Sequence, residues 1–133
     1  MVKLKGSSAG CWCDSKKLAE QCCLPILAGR LPATTAEALM RSRYSAYVGL
    51  DTPYLLSSWH PDTRPPRLEL DAQQRWLGLK IRRLQLGGES DETGVVEFVA
   101  RYKIDGRGFA LREVSEFCRW QGRWVYLAGL VQG

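Results

Sequence analysis

The sequence predicts an α+β fold in which helices precede an antiparallel sheet. Helical periodicity runs over about residues 35–48, where apolar side chains recur on one arc at 100° per residue. Four β-rich segments separated by turn residues follow in the second half of the chain. A third observation, four of the five cysteines gathered in residues 11–23, predicts a small metal-binding unit ahead of the helices.

Length and composition predict one globular domain with a small appendage. The chain has 133 residues, of which 45% are hydrophobic, enough for a core of ordinary size. Its apolar runs are shorter than the roughly 18 residues that cross a bilayer. Its first ten residues, MVKLKGSSAG, lack the apolar stretch of a secretion signal. We therefore expect a cytoplasmic protein without a membrane partner.

The formal charge of +5 is concentrated near the N-terminus. Residues 1–30 contain five basic and two acidic side chains, although they form less than a quarter of the chain. Four metal-bound thiolates would lower this local charge. A nucleic-acid partner is therefore only weakly indicated, and it is not excluded.

The cysteine cluster has the ligand set of a zinc site. Zinc is held tetrahedrally by four soft ligands, which two close pairs joined by a short loop can supply. Ser15 is placed to cap a short helix over residues 16–21, whose end would present the second pair to the first. The alternative, disulfide bonds, requires an oxidising compartment. We therefore predict zinc as the cofactor, with the ligands Cys11, Cys13, Cys22 and Cys23.

A stretch with proline and glycine, GRLPA in residues 29–33, ends the cysteine-rich segment. We therefore expect two units, a zinc knuckle with its linker in residues 1–30 and an α+β domain in residues 31–133. Because the linker separates them, each unit is expected to have its own stability.

The first helix of the predicted domain has clear boundary signals. Thr34 is expected to cap a helix over residues 35–48, with Glu37 completing a capping box. Gly49 is placed to end it.

Two shorter helices are predicted after the first. One begins at Asp51 or the next residue, with Pro53 in its first turn, and ends before Pro61. The other, AQQRWLG in residues 72–78, would follow a cap by Asp71.

Four strands complete the predicted domain. The dipeptides GG, DG and QG are turn signals between consecutive β-rich segments. Short turns between consecutive strands predict an antiparallel meander, with the first helix packed on one face of the sheet. The strands are expected in residues 79–87, 94–104, 108–120 and 123–131.

The cysteine spacing, C-x-C-x8-C-C, resembles the SEC-C zinc knuckle, whose usual form is Cys-Pro-Cys-Gly-Ser-Gly followed by a Cys-Cys or Cys-His pair. All four metal positions match. This chain has Trp12, Asp14 and Lys16 where the motif usually has proline and two glycines. Elsewhere the motif lies at the tail of a protein-export ATPase and contacts a chaperone or ribosome. The resemblance implies a protein or ribosomal partner for the knuckle.

The remainder of the chain is similar to the YchJ family of bacterial proteins. The matching pieces are residues 36–47, WHP in 59–61, EVSEF in 113–117, and GRWVY in 122–126 with Gly129. The resemblance implies a nuclear transport factor 2-like (cystatin-like) fold, in which a curved antiparallel sheet closes over helices to form a cone with a pocket. Relatives often have histidine at the position of Arg112 and Asp-Gly at the position of Ala128 and Gly129, so two potential acid–base groups are missing here.

Two charged residues fall on faces that are predicted to be apolar. Arg43 lies near the middle of the apolar arc of the first helix, and Glu113 lies in an otherwise apolar row of the third strand. Because an unpaired buried charge is costly, we expect these two to form an ion pair. Their remaining donors and acceptors would be satisfied by Ser115, Tyr102 or Tyr126. The pair either sets the register of helix and sheet or forms the polar end of a ligand pocket.

Four other side chains have two interpretations each. His60 either caps carbonyl groups at a helix end or acts as a general base in the pocket. Trp59 and Trp124 either line the pocket or belong to the core. Cys118 is expected to pack as a small apolar side chain rather than to act as a nucleophile. No catalytic residue is assigned.

Three functions fit these features. The first is a binding module, with the knuckle for a macromolecular partner and the cone pocket for a small or peptide ligand. The second is a small cone-fold enzyme, an isomerase, dehydratase or hydrolase, that uses the pocket around Glu113. The single histidine and the lack of an acidic pair argue against it. The third is RNA or ribosome binding through the basic knuckle, although no strand carries a stacking motif. The binding module is preferred because it needs no catalytic residues.

Overall fold

The computed structural model describes residues 10–132. The first part of the predicted knuckle, with Lys3 and Lys5, lies outside these residues. In the described part, helices precede a four-stranded sheet, so the predicted α+β class is confirmed. The elements are a 3-10 helix (Ala19–Gln21), α1 (Cys23–Leu27), α2 (Ala36–Val48), α3 (Thr52–Ser57), β1 (Arg75–Leu86), β2 (Thr93–Ile104), β3 (Arg107–Trp120) and β4 (Arg123–Val131).

The sheet is the predicted antiparallel meander, with the strand order β1-β2-β3-β4. The turn residues Asp105 and Gly106 have φ of 52° and 78°, and Gln121 and Gly122 have φ of 52° and 80°. Two consecutive positive φ values are typical of the tight hairpin turns that follow the twist of their strands. The DG and QG signals therefore marked the last two turns correctly.

The predicted helix over residues 72–78 is wrong, because this segment is a turn that leads into β1. The Asp71 side chain accepts a hydrogen bond from the Gln73 amide at 2.8 Å, so the capping signal is real. The chain then extends, and Trp76 pairs with Tyr102 of β2, with their ring centres 5.2 Å apart. Strand pairing and aromatic packing outweigh the local helix preference. As a result β1 begins four residues earlier than predicted.

The predicted N-cap residue is wrong for α2 and correct for α3. The N-cap of α2 is Thr35, not Thr34, and its hydroxyl accepts from the Ala38 amide at 3.0 Å. Glu37 does not complete a capping box, because its carboxylate bonds to Arg41 one turn later. Asp51 caps α3 as predicted. None of the helices in residues 10–132 is long and apolar enough to cross a membrane.

Helix α2 is buried on two sides. One side faces the sheet, and the other contacts the cysteine-rich segment. This second contact explains why Ser45, which falls outside the predicted apolar arc, is almost fully buried. Ser42 is also buried, and its hydroxyl bonds to the Leu39 carbonyl and to the Tyr54 hydroxyl of α3. The Ser45 hydroxyl lies 3.8 Å from the sulfur of Cys11.

The cysteine-rich segment is anchored to the domain by polar contacts as well. The Asp14 carboxylate accepts from the Leu79 amide of β1 at 3.0 Å, and the Cys13 carbonyl accepts from Arg41 of α2 at 2.7 Å. A single cluster of buried side chains runs from the cysteines through α2 to the sheet. This shared packing argues against two separately stabilised units, and the boundary near residue 30 stays a prediction.

Candidate metal centre and cavity

The four predicted metal ligands lie together. All four sulfur atoms are within 4.8 Å of one another. Cys22 lies 3.5 Å from Cys13 and 3.9 Å from Cys23, sulfur to sulfur. Four sulfurs at 2.3 Å from one ion in a tetrahedron would be about 3.8 Å apart. All five cysteines are free thiols, so the disulfide alternative is not supported and the cluster can hold a metal ion.

The loop between the ligand pairs has a glycine-like backbone without glycine. Asp14 and Lys16 have φ of 62° and 74°, in the left-handed region, at the positions where the SEC-C motif usually has glycine. This conformation costs about 1 kcal/mol for other residues. The bond from the Leu79 amide to Asp14 offsets that cost for one of them.

The left-handed conformation of Lys16 also corrects the predicted helix over residues 16–21. A right-handed helix cannot include this residue, and only Ala19–Gln21 forms a single 3-10 turn. Ser15 still acts near the predicted start, because its hydroxyl accepts from the Lys17 amide at 3.2 Å and lies 3.1 Å from the sulfur of Cys22.

The pKa values of three of the four cysteine thiols depend on one another. The pKa of Cys11 is far below the usual thiol value because the thiols of Cys13 and Cys23 hydrogen-bond to it. The same interaction with Cys11 raises the pKa of Cys13 to about 11 and also raises the pKa of Cys23. One thiol of the cluster is therefore easier to deprotonate than its neighbours, which suits a site for a positive ion.

A cavity of about 340 Å³ lies between α2, the inner face of the sheet and the segment before β1. Its walls are largely aromatic and aliphatic, with a few polar groups. Of the predicted pocket residues, it is lined by Arg43, Trp59, Glu113, Ser115 and Tyr126.

The predicted burial of Arg43 is confirmed, since only 3% of the residue is exposed. Its Nη1 donates to the Leu55 carbonyl at 2.8 Å and to the Ser58 hydroxyl at 2.6 Å. Its guanidinium carbon lies 4.9 Å from the centre of the Trp59 ring and 4.6 Å from that of Tyr126. Burial lowers the pKa of Arg43.

The predicted ion pair between Arg43 and Glu113 is wrong. The Glu113 carboxylate instead accepts from the Ser115 hydroxyl at 2.6 Å and from the Tyr126 hydroxyl at 3.2 Å. Arg43 is held by the end of α3, because the Leu55 carbonyl, the Ser58 hydroxyl and two aromatic faces stabilise its guanidinium without a counter-ion. Burial and the Glu113 charge raise the pKa of Tyr126.

The position of Glu113 depends on a glycine in the neighbouring strand. Gly129 pairs with Ser115 across β3 and β4. A Cβ atom at this position would overlap the Glu113 carboxylate and lie 2.6 Å from the Tyr126 hydroxyl. Gly129 therefore makes room for the carboxylate at the cavity wall.

The other predicted pocket residues lie elsewhere. His60 is absent from the cavity wall, and its Nδ1 accepts from the Asp62 amide at 3.0 Å. Trp124 is a core residue, 2% exposed, whose Nε1 donates to the Thr34 carbonyl. Tyr102 packs between Trp76 and an exposed phenylalanine. Cys118 is partly buried, which raises the pKa of its thiol and disfavours the nucleophilic form.

Several lining residues were not predicted. Tyr44 and Tyr47 lie on α2 beside Trp76, which lines the wall from β1. The helical periodicity contained a signal for the two tyrosines, because both belong to the same arc as Arg43. Glu69 and Asp71 line the cavity from an irregular segment, for which periodicity offers no signal.

A family model described as "YchJ, middle NTF2-like domain" matches residues 35–129. The chain belongs to the YchJ family. The match spans α2, α3 and nearly all of the sheet. It confirms both the family and the nuclear transport factor 2-like fold that the sequence motifs implied.

YchJ-family relatives match the chain over nearly its full length. A UPF0225 protein of Chromobacterium violaceum is 47% identical, covering 98% of this chain and 99% of its own. A UPF0225 protein of Streptomyces coelicolor is 48% identical, covering 90% and 93%.

Solved structures of two SEC-C motif-containing proteins are similar to this YchJ-family chain. The solution structure of one from Rhodopseudomonas palustris has a TM-score of 0.80 at 32% identity, covering 92% of this chain and 98% of that one. The crystal structure of one from Psychrobacter arcticus has a TM-score of 0.71 at 27% identity, covering 90% and 76%.

Proposed function

We propose that this YchJ-family protein is a cytoplasmic binding protein, in which a zinc-bound knuckle supports a cavity that takes a small zwitterionic molecule. The observation that carries the proposal is that Arg43 and Glu113 line one cavity without bonding to each other. Opposite charges held apart in one cavity are complementary to a ligand that carries both charges.

Both charged groups retain capacity for a ligand. Within residues 10–132, the hydrogen bonds of Arg43 to the end of α3 both involve Nη1, and Tyr47 is one further partner, so the guanidinium still has donors to offer. The bonds of Glu113 in the same residues all involve Oε2, so Oε1 is open as an acceptor. A ligand carboxylate would therefore bind Arg43, and a ligand ammonium group would bind Glu113.

The cavity walls define the rest of the ligand. A volume of about 340 Å³ is near the lower end of the roughly 300–1,000 Å³ that is usual for small-molecule sites. The aromatic side chains of Tyr44, Tyr47 and Trp76 favour an apolar or aromatic body between the two charges. Free amino acids with a large side chain have this chemistry.

Zinc is the proposed metal because the donor set is four sulfurs. Tetrahedral sulfur sites select zinc over hard cations. A reducing compartment such as the cytoplasm would keep all four cysteines available as ligands. The knuckle contributes buried side chains to the shared core, so the bound ion would stabilise the wall of α2.

Calorimetric titration with phenylalanine, phenethylamine and phenylpropionate tests the cavity proposal. The amino acid should bind, and the two molecules that lack one charged group should bind at least tenfold more weakly. Glu113→Gln should weaken phenylalanine binding by at least tenfold. The matched control Glu116→Gln, in the same strand but outside the cavity, should leave binding unchanged. Equal binding of all three molecules, or no effect of Glu113→Gln, would reject a zwitterion site.

The second candidate function, docking of a macromolecule on the knuckle, is supported by exposed Lys16 and Lys17 on the cysteine loop. The enzyme alternative has less support, because His60 does not line the cavity.

A further inference from the structure

A groove on the outer side of the sheet, beside the cysteine loop, is strongly basic. Besides apolar residues and one carboxylate, it is lined by six cationic side chains, four of them arginines. The six are Lys16, Arg41, Lys80, Arg82, Arg101 and Arg112.

Strand pairing brings the cations close together on the face away from the cavity. Lys80 and Arg112 are both paired with Val99 of β2, from the strands on its two sides. Neighbouring strands are about 4.8 Å apart, so the backbones of these two residues are about 10 Å apart. Arg101 lies two residues after Val99 in β2 and therefore on the same face of the sheet. The alternating residues Phe98 and Ala100 face the cavity instead.

The charge of the groove is not neutralised within the described residues. Arg41 is paired with Glu37, and the Asp14 carboxylate, which accepts from the Leu79 amide, offsets one further positive charge. Nearby on β2, Glu97 is paired with Arg83. The other five groove cations form no ion pair within residues 10–132. Like charges within a Debye length of about 8 Å repel each other, and a polyanion would relieve this repulsion.

The chemistry of the groove favours phosphate over other anions. Guanidinium groups bind phosphate oxygens in a two-pronged geometry, and four of the six cations are arginines. Among residues 10–132, no aromatic side chain lines this groove, so this part of the chain offers no platform for stacked bases. It also lacks the aromatic anchors that usually dominate protein interfaces.

We propose that this groove binds the phosphate backbone of a duplex nucleic acid without sequence preference. The cysteine loop contributes one edge through Lys16, and β1 to β3 contribute the floor. The inference is independent of the cavity and of its ligand, because the two lie on opposite faces of the sheet.

Fluorescence anisotropy with labelled 20-base-pair RNA and DNA duplexes, from 50 to 200 mM salt, tests this inference on the full chain. The wild type should bind at 50 mM salt, with a slope of log K against log salt of about −4. Lys80→Glu/Arg112→Glu should weaken binding at least tenfold. The matched control Arg30→Glu/Arg67→Glu makes the same change in net charge at exposed sites outside the groove and should stay within threefold. Comparison of the RNA and DNA duplexes shows whether the 2′-hydroxyl of the sugar contributes to the affinity.

Absence of binding to both duplexes at 50 mM salt would overturn the proposal. An equal loss in the groove and control variants would also overturn it, because net charge alone would then explain binding. Tighter binding of labelled poly-glutamate than of either duplex would assign the groove to acidic proteins and reject the nucleic-acid backbone. Circular dichroism checks that both double variants are folded, and Arg101→Gln offers a milder change with an expected weakening of at least threefold.

Discussion

The ring of Tyr126 lies between Arg43 and Glu113. The Arg43 guanidinium carbon is 4.6 Å from the ring centre, and the hydroxyl on the same ring donates to the Glu113 carboxylate at 3.2 Å. Each charge therefore has hydrogen-bond partners of its own, and both also contact the Tyr126 side chain. Stability and ligand binding are expected to respond differently to the loss of each charge.

Arg43→Met should lower the free energy of unfolding by about 2–4 kcal/mol. The change removes the charged donor to the buried Leu55 carbonyl, worth roughly 1–3 kcal/mol. It also removes the stacking of the cation on two aromatic rings, worth roughly 0.5–2 kcal/mol. Urea titration measures the loss, and the exposed control Arg67→Met should cost less than about 0.5 kcal/mol.

A double-mutant cycle of Arg43→Met with Glu113→Gln then separates the observed contacts from an ion pair. Because the two side chains share the Tyr126 ring but form no ion pair with each other, their coupling energy should stay below about 1 kcal/mol. A coupling energy of 1 kcal/mol or more would mean that the charges stabilise each other directly.

Gly129→Ala should destabilise the protein by about 1–3 kcal/mol, because the new methyl group overlaps the Glu113 carboxylate. Gly108→Ala, in the neighbouring strand with open space around its Cα, should change stability by less than about 1 kcal/mol. Adding Glu113→Ala should recover most of the loss at position 129. Thermal unfolding of these three variants measures these effects, and failure of this rescue would show that the cost arises elsewhere.

Removal of the metal should lower the melting temperature of the whole protein by about 10 °C or more, in a single transition. The reason is that Cys11, Cys13 and Cys23 belong to the same buried cluster as α2 and the sheet. Calorimetry with and without a chelator measures the shift. Elemental analysis should give about one zinc per chain, falling to near zero in Cys13→Ser.

The matched control for the metal site is Cys118→Ser, which leaves the cluster intact and should keep the zinc content unchanged. Two separate transitions after chelation, with the larger one unmoved, would contradict a shared core and restore the expectation of two separately stabilised units.

The free energy of unfolding should fall as the pH rises above about 10, the usual tyrosine pKa. Burial raises the pKa of Tyr44 and, together with the Glu113 charge, that of Tyr126. Above the usual value the unfolded chain loses these protons while the folded protein keeps them, so rising pH favours unfolding. Urea titrations at pH 8.5, 9.5 and 10.5 with zinc present measure the slope. Tyr126→Phe should make the slope shallower, and an unchanged slope would mean that Tyr126 does not contribute.

Local patterns predicted most of the secondary structure. Three of the four strands were predicted to within one residue at each end, because alternation and DG or QG turns are encoded within a few residues. The third predicted helix was wrong because Trp76 gains more from pairing in the sheet than from a local helix. The N-cap of α2 is Thr35 rather than the predicted Thr34, because either of two adjacent threonines can supply the capping hydroxyl.

The sequence alone determined which four cysteines could hold a metal ion, the burial of Arg43 and the meander, because each depends on spacing along the chain. Only the tertiary structure decided which groups surround Arg43 and Glu113. Strand register and helix orientation set those distances. They place the C-terminal end of α3, and not the Glu113 carboxylate, within hydrogen-bond distance of the Arg43 guanidinium. The tertiary structure also joined the knuckle to the domain, since Ser45 is buried by a contact with Cys11 that helical periodicity cannot predict. Contacts between distant segments follow from packing of the whole chain, which local pattern cannot specify.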